Sequence, residues 1–229
     1  MGSIILAAGR GERLNGIAAP YMKPALLVNG VPLIVQQVRN ALEAYVGFHT
    51  LVLAPENARM MIDLVKHGVP ELDWDRVDVI VQPDPGSSVV DALKRGLRPH
   101  NGPTLVLMGD NVVPVTTVRS MMDDFFGEGS ASRPELLVAT RLMPWHEAKR
   151  FTYCYASEWY EKEIPPCPAV PTEEAAEVWV GPLFIKSPDE MYAALGHNDS
   201  IGRTFNAFTD VRTWPNSQCS DIGVPEALQ

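Results

Sequence analysis

A surplus of positive charge is missing from this 229-residue chain: 19 Lys and Arg stand against 28 Asp and Glu, a formal net charge of −9. Such a balance excludes general affinity for nucleic acid or for anionic membrane surfaces, because both need a cationic face. It does not exclude a small phosphate ligand, which needs only a local cluster of cations. Cysteine is scarce as well. Cys154, Cys167 and Cys219 form no C-x-x-C pair, and three thiols cannot all pair, which fits a reducing compartment and unpaired thiols. His49, His67, His100, His146 and His197 are scattered without the short spacings of a zinc site. No apolar run is long enough to cross a bilayer. The apolar start Ile4–Ala8 is too short for a secretory core and lacks a basic leader, and Leu6 stands where N-myristoylation requires Ser or Thr. The expected compartment is the cytoplasm.

What is present is a soluble, core-forming composition, 46% hydrophobic and 21% charged, in which no repeat or low-complexity tract occurs. Ser3–Ala7 is a continuous apolar run of the kind found in parallel strands buried on both faces. Phe48–Ala54, Val77–Val81, Thr104–Met108 and Glu135–Arg141 have the same character. Helical patterns fill the gaps at about 33–45, Glu56–His67, 88–Leu97 and Thr116–Phe126. This alternation predicts a three-layer α/β/α sandwich around a mainly parallel sheet, with ligands collecting beyond the carboxyl ends of the strands. Beyond residue 141 come strands at Phe151–Ser157, Glu177–Ile185 and Val211–Trp214. Helices are expected at 188 onward, at Asp199–Phe208 and at the C-terminus, with a charged, proline-rich excursion over Glu161–Pro171. The expected organisation is one domain over 1–229, with a nucleotide-binding half to about 141 and a substrate-facing half over about 142–229.

The first strand runs straight into Ala8-Gly9-Arg10-Gly11-Glu12-Arg13-Leu14. Small residues let a ligand approach the backbone, whose N–H groups can donate to phosphate oxygens, and the two arginines can pair with phosphate. Two familiar glycine-loop patterns fail. Leu14 replaces the third glycine of a dinucleotide fingerprint, and Ile17-Ala18 stand where a P-loop needs Lys and Ser or Thr. On composition alone the loop is a phosphate cradle or a tight turn. Likewise Lys23 reads as a surface lysine, and Asp110, after a buried strand and a glycine, as a cap or a hard-metal ligand. Asp221 fits an Asx turn equally well.

Their order along the chain adds information. Leu6–Leu14, then Lys23-Pro24, then Leu26–Ile34 resembles the sugar-phosphate nucleotidyltransferase family. The likeness continues through Gln82-Pro83, Gly109-Asp110-Asn111 and Asp221-Ile222-Gly223-Val224-Pro225-Glu226. The resemblance implies transfer of a nucleoside monophosphate from an NTP to a sugar 1-phosphate, with release of pyrophosphate and with Mg²⁺ as cofactor. Within it, Arg13, Lys23, Asp110, Lys162 and Asp221 would be catalytic, and Asp110 and Asp221 would hold the metal. Leu6, Ala8, Gly9, Arg10, Gly11, Gln82, Gly86 and Ser87 would bind the nucleotide. Gly109, Asn111, Glu161 and Gly181 would bind the sugar. Glu161-Lys162 matches the family's E-K-P stretch except that Glu163 replaces the proline, and Pro182 departs from the G-x-Y/L-x-F segment.

Within the resemblance, members with Q-P at the place of Gln82-Pro83 commonly use dTTP or UTP, and a glutamine amide can pair with one edge of a uracil or thymine ring; CTP stays open. The alternatives are a cytidylyl- or guanylyltransferase for another phosphorylated acceptor, and a nucleotide-binding regulatory relative without catalysis. The expected partners are the NTP and the sugar phosphate, with no nucleic acid and no membrane; homo-oligomerisation is left open.

Overall fold

Every residue of β1 (Gly2–Ala7) is buried, and its side chains alternate between two separate cores. Ile5 and Ala7 enter one core, Ile4 and Leu6 the other. The computed structural model describes residues 1–9, 22–44, 46–83, 88–127, 132–148, 151–155, 157–160, 175–215 and 218–221, with Ser220 and Asp221 described as backbone only.

The strands are β1, β2 (Leu27–Val28), β3 (Val31–Pro32), β4 (Phe48–Leu53), β5 (Val77–Val81), β6 (Thr104–Met108), β7 (Asn111–Val112), β8 (Leu136–Pro144), β9 (Tyr153–Tyr155), β10 (Glu158–Tyr160), β11 (Ala175–Ile185), β12 (Val211–Pro215) and β13 (Ser220–Asp221). The helices are α1 (Leu33–Glu43), α2 (Ala58–Gly68), α3 (Val89–Leu97), α4 (Val115–Gly127), α5 (Trp145–Ala148), α6 (Pro188–His197) and α7 (Ile201–Phe205).

Among the described residues, β5, β4, β1 and β6 lie side by side and parallel. β11 joins β6 antiparallel, β8 joins β11, and β12 runs parallel to β8. The first part of β11 pairs with β9, and β9 with β10. Only β10 and β11 therefore oppose the other seven strands of the nine-stranded sheet. Helices α1, α2, α4 and α5 cover one face through Val38, Val65, Phe125 and Ala148. Helices α3, α6 and α7 cover the other through Leu93, Leu195 and Phe205. This is the three-layer sandwich that the alternating pattern predicts. Strands from both halves share one sheet and both cores. No helix among the described residues is long and apolar enough to cross a membrane.

Local chemistry explains the boundaries. Asn29 and Gly30 take positive φ of 53° and 77°, making the two-residue turn that joins β2 to β3. Ser187 and Ser200 cap α6 and α7 by accepting from Glu190 N and Arg203 N. Several element bounds depart from the sequence pattern. Helix α1 stops at Glu43 rather than near 45, α7 covers only Ile201–Phe205, and the strand expected over Phe151–Ser157 shrinks to β9. The turn Lys23–Ala25, the helix α5 and the strand β10 have no counterpart in that reading. They are three or four residues long, too short to show a period. The excursion over Glu161–Pro171 and the C-terminal helix lie outside the described residues.

Two histidines are buried at the opposite, amino-terminal end of the central strands. His49 Nδ1 lies 2.9 Å from Ser3 Oγ, and His100 Nε2 lies 3.0 Å from Thr50 Oγ1. Burial pushes both imidazoles down from 6.5 to about 4. The unfolded chain thus binds more protons than the folded one between those values, so stability is present above pH 6.5 and is lost as pH falls toward 4. The melting temperature should drop by roughly 5 °C between pH 7 and pH 5. A His49→Gln/His100→Gln pair should flatten that slope in thermal melts; an unchanged slope would assign it to other groups.

Candidate active site

A cleft opens at the carboxyl ends of β1, β5 and β6, enclosing about 490 Å³ of space that is partly open to solvent. Its floor is Leu6, Ala7, Ala8 and Gly9, the end of β1 and the residues after it. Lys23 and Pro24 form one wall, Gln82 a second, Met108 and Asp110 a third. The first turn of α3 closes it with Ser88, Val89 and Ala92. Ser88 caps that helix in a capping box with Asp91. The positive end of the helix dipole therefore faces the cleft, which favours anions there.

Lys23 is not a surface lysine. It sits in a 3₁₀ turn over Lys23–Ala25, started by Pro24 and closed by Ala25 N donating to Met22 O at 2.9 Å. The turn drives the side chain inward, leaving Lys23 only 4% exposed. Its ammonium donates to Asp110 Oδ2 at 2.7 Å, across 87 residues of sequence. A buried ammonium needs such a partner, because stripping it of water is costly.

Asp110 is presented by a tight turn after β6. Gly109 N donates to Leu6 O at 2.8 Å, and a Cβ at Gly109 would come within 2.8 Å of Ala7 Cβ. Only glycine lets the turn press against β1 this closely, which places Asp110 over the floor of the cleft. The segment that follows is gripped from three sides. Gln37 Nε2 of α1 donates to Asn111 O at 2.6 Å, and Asn40 Nδ2 donates to Val113 O at 2.9 Å. Asn111 Nδ2 donates to Val180 O of β11 at 2.8 Å. β7 then pairs antiparallel with β13, setting Asp221 opposite Asn111. Two aspartates separated by 111 positions in sequence thus come to neighbouring backbone positions.

Gln82 follows β5 and is held by its backbone N–H, which donates to Leu53 O at 2.9 Å. The residue is 3% exposed, and its Nε2 has no hydrogen-bond partner among the described residues. A buried amide donor left without an acceptor costs about 1–3 kcal/mol, so its placement beside the cleft points to a ligand that accepts from it.

The described residues therefore bring together Leu6, Ala8, Gly9, Lys23, Gln82, Gly109, Asp110 and Asn111, with the Asp221 backbone alongside. Gly181 lies further along β11, in a register irregularity between Trp179 and Leu183, and its carbonyl accepts from Trp179 Nε1 at 2.9 Å. Arg10, Gly11, Arg13, Gly86, Ser87, Glu161 and Lys162 lie outside the described residues. Burial pushes the Cys154 thiol up to about 11 and that of Cys219 to about 12, which keeps both protonated at neutral pH. No group of three or more His, Cys, Asp or Glu that could hold a metal occurs among the described residues.

Sequence reasoning did not single out Ser88 as a cleft residue, nor Gln37 and Asn40 as the clamps on β7. A signal for the clamps existed. Two amides, three residues apart, stand on the same helical face as Val38 and Ala41, and polar groups buried that way must bond to something.

The fold recurs in solved structures. A Bacillus anthracis protein assigned as a glucose-1-phosphate thymidylyltransferase, in complex with sucrose, matches with a TM-score of 0.76 and 19% identity, covering 100% of this chain and 92% of that one. HddC from Yersinia pseudotuberculosis matches with a TM-score of 0.69 and 16% identity, over 99% and 96% of the two chains. The inositol-1-phosphate CTP transferase from T. maritima matches with a TM-score of 0.70 and 13% identity, over 100% and 91%. No curated protein sequence matches significantly. Residues 3–163 match the family described as the MobA-like NTP transferase domain. The chain, with its cleft at the carboxyl ends of β1, β5 and β6, belongs to that family of nucleotidyltransferases.

Proposed function

We propose that the protein transfers a nucleoside monophosphate, from dTTP or UTP by preference, to a sugar 1-phosphate and releases pyrophosphate. The observation that carries the reading is the furnishing of one cleft. It has a spare amide donor at Gln82 on one wall and a charged Lys23–Asp110 pair on another. The first turn of α3 and the residues Ala7, Ala8 and Gly9 line the same cleft.

Gln82 Nε2 donates to a carbonyl of the base, and its Oε1 accepts the ring N–H of uracil or thymine. The backbone of Ala8 and Gly9 receives the phosphates, with Arg10 and Gly11, and Arg13 neutralises the pyrophosphate that leaves. Gly86 and Ser87 flank the base. Lys23 contacts the phosphates at the reacting centre. Lys162 holds the sugar phosphate, while Glu161, Gly109 and Gly181 border the sugar. Asn111, whose amide is engaged with Val180 O, serves the sugar end through the strand it holds.

The attacking group needs no general base. A sugar phosphate has a second pKa of about 6 and is already a dianion at neutral pH. The obstacle is repulsion between two polyanions, which cationic side chains offset while they orient an in-line attack. The donor set fits Mg²⁺, which takes one or two carboxylates together with phosphate oxygens and water; Asp110 and Asp221 would supply the carboxylates. When bound, the ion supplies further charge neutralisation at the phosphates.

A cytidylyl or guanylyl donor is the second reading. A structural relative is an inositol-1-phosphate CTP transferase, and HddC has been solved with GMP-PN. Nucleotide choice separates the two. Pyrophosphate release should favour dTTP or UTP over CTP and GTP by about tenfold or more, and Gln82→Leu should erase most of that margin. A preference for CTP or GTP that Gln82→Leu leaves untouched would contradict the assignment of Gln82 to the base.

A further inference from the structure

The segment that carries Asp110 has little sheet of its own to hold it. β7 is two residues long, and among the described residues it pairs only with β13. Its carbonyls are met instead by side chains of α1. Gln37 Nε2 donates to Asn111 O at 2.6 Å, and Asn40 Nδ2 to Val113 O at 2.9 Å. Both amides are buried, on a helix face whose other buried residues are all apolar. Neither is among the described residues that line the cleft. Gln37 also keeps an acceptor idle: its Oε1 is buried and has no partner among the described residues. An apolar side chain of the same length would fill the core without stranding that oxygen. Packing therefore does not account for an amide here, whereas its donor does.

We infer that Gln37 and Asn40 are positioning residues for the reaction. They fix the Gly109–Val113 segment to α1, and so fix where the Asp110 carboxylate stands over the cleft. This rests on the proposed function, which makes Asp110 catalytic. Two further anchors tie the same segment to the sheet: Gly109 N donates to Leu6 O of β1, and Asn111 Nδ2 to Val180 O of β11, each at 2.8 Å. The α1 amides add the hold from the helical layer. A misplacement of about 1 Å can cost on the order of a hundredfold where a group must meet a reacting centre. Loss of either amide thus lowers turnover although neither side chain touches the substrate.

The test combines kinetics with hydrogen exchange. Gln37→Met keeps the length of the side chain and removes the donor. It should lower kcat on the order of tenfold or more, while KM for the triphosphate changes less than about threefold. Asn40→Leu should act in the same way, and serves if Gln37→Met fails to fold by circular dichroism. In an Asp110→Asn background most of that loss should vanish, because the group being positioned is gone. Amides of the Gly109–Val113 segment should exchange on the order of tenfold faster in the variants, with those of β1 and β4 unchanged. A folded variant with normal kcat would overturn the inference, as would a loss just as large in the Asp110→Asn background. Exchange that rises equally across the sheet would also overturn it, by assigning the amides to general stability. If the wild type itself releases no pyrophosphate, the proposed function fails and the inference with it. A wild type that turns over beside folded variants that turn over equally well rejects the inference alone.

Discussion

Asp110→Asn lowers the turnover number by on the order of 10²- to 10³-fold and leaves the protein folded. The side chains have the same shape, and Asn Oδ1 can still accept the hydrogen bond that Lys23 donates at 2.7 Å. What disappears is the negative charge. Lys23 then keeps an acceptor at this position but no longer a carboxylate there, a stability cost of about 1–3 kcal/mol. The site, by contrast, loses the carboxylate assigned to the metal and with it the fixed charge pattern around the phosphates. Because that pattern matters most where charge builds up in the transition state, kcat should fall far more than KM rises. Steady-state kinetics of pyrophosphate release, with thermal melts as a control, measures both. Near-normal turnover in Asp110→Asn would remove this residue from the catalytic set.

Lys23→Met should cost on the order of 10²-fold or more in kcat/KM. Methionine fills the buried slot with an unbranched chain of similar volume, so packing changes little. The positive charge at the reacting phosphates is lost outright. Lys23→Arg should not rescue it, because a planar guanidinium does not fit a position that is 4% exposed and shaped around a single ammonium. A Lys23→Met variant that turns over normally would make the ion pair purely structural.

Much of the architecture was legible because its signals are repetitive. Four apolar runs at the positions of β1, β4, β5 and β6, with amphipathic runs between them, leave little choice but a doubly covered parallel sheet. Short elements carried no such signal. Strand β10 owes its place to a pairing with β9 and to Asn206, whose side chain bonds both the N–H and the C=O of Trp159. The partner lies 47 residues away, and no local pattern announces it. At the cleft the sequence identified types of residue, not their states. Nothing in Lys23-Pro24 tells that the lysine is buried; the reason is a carboxylate 87 positions later. Nor could spacing reveal that Asp221 pairs with Asn111, since strand register is set by the surrounding sheet and by the amides of Gln37 and Asn40.

Gln82 illustrates a converse case. The family resemblance implied a base contact, while its burial and an Nε2 without a partner among the described residues are structural facts that composition cannot supply. Together they put an amide donor without a partner among the described residues beside the cleft, which is the feature the proposed base contact rests on.

The most direct measurement of the central claim is ³¹P nuclear magnetic resonance of the protein incubated with Mg²⁺, dTTP or UTP, and a panel of sugar 1-phosphates. The account predicts that the α-phosphorus signal of the triphosphate is replaced by the two coupled signals of a diphosphate diester, in step with inorganic pyrophosphate. A triphosphate that stays intact with every sugar phosphate, or one hydrolysed without any diester, would contradict it.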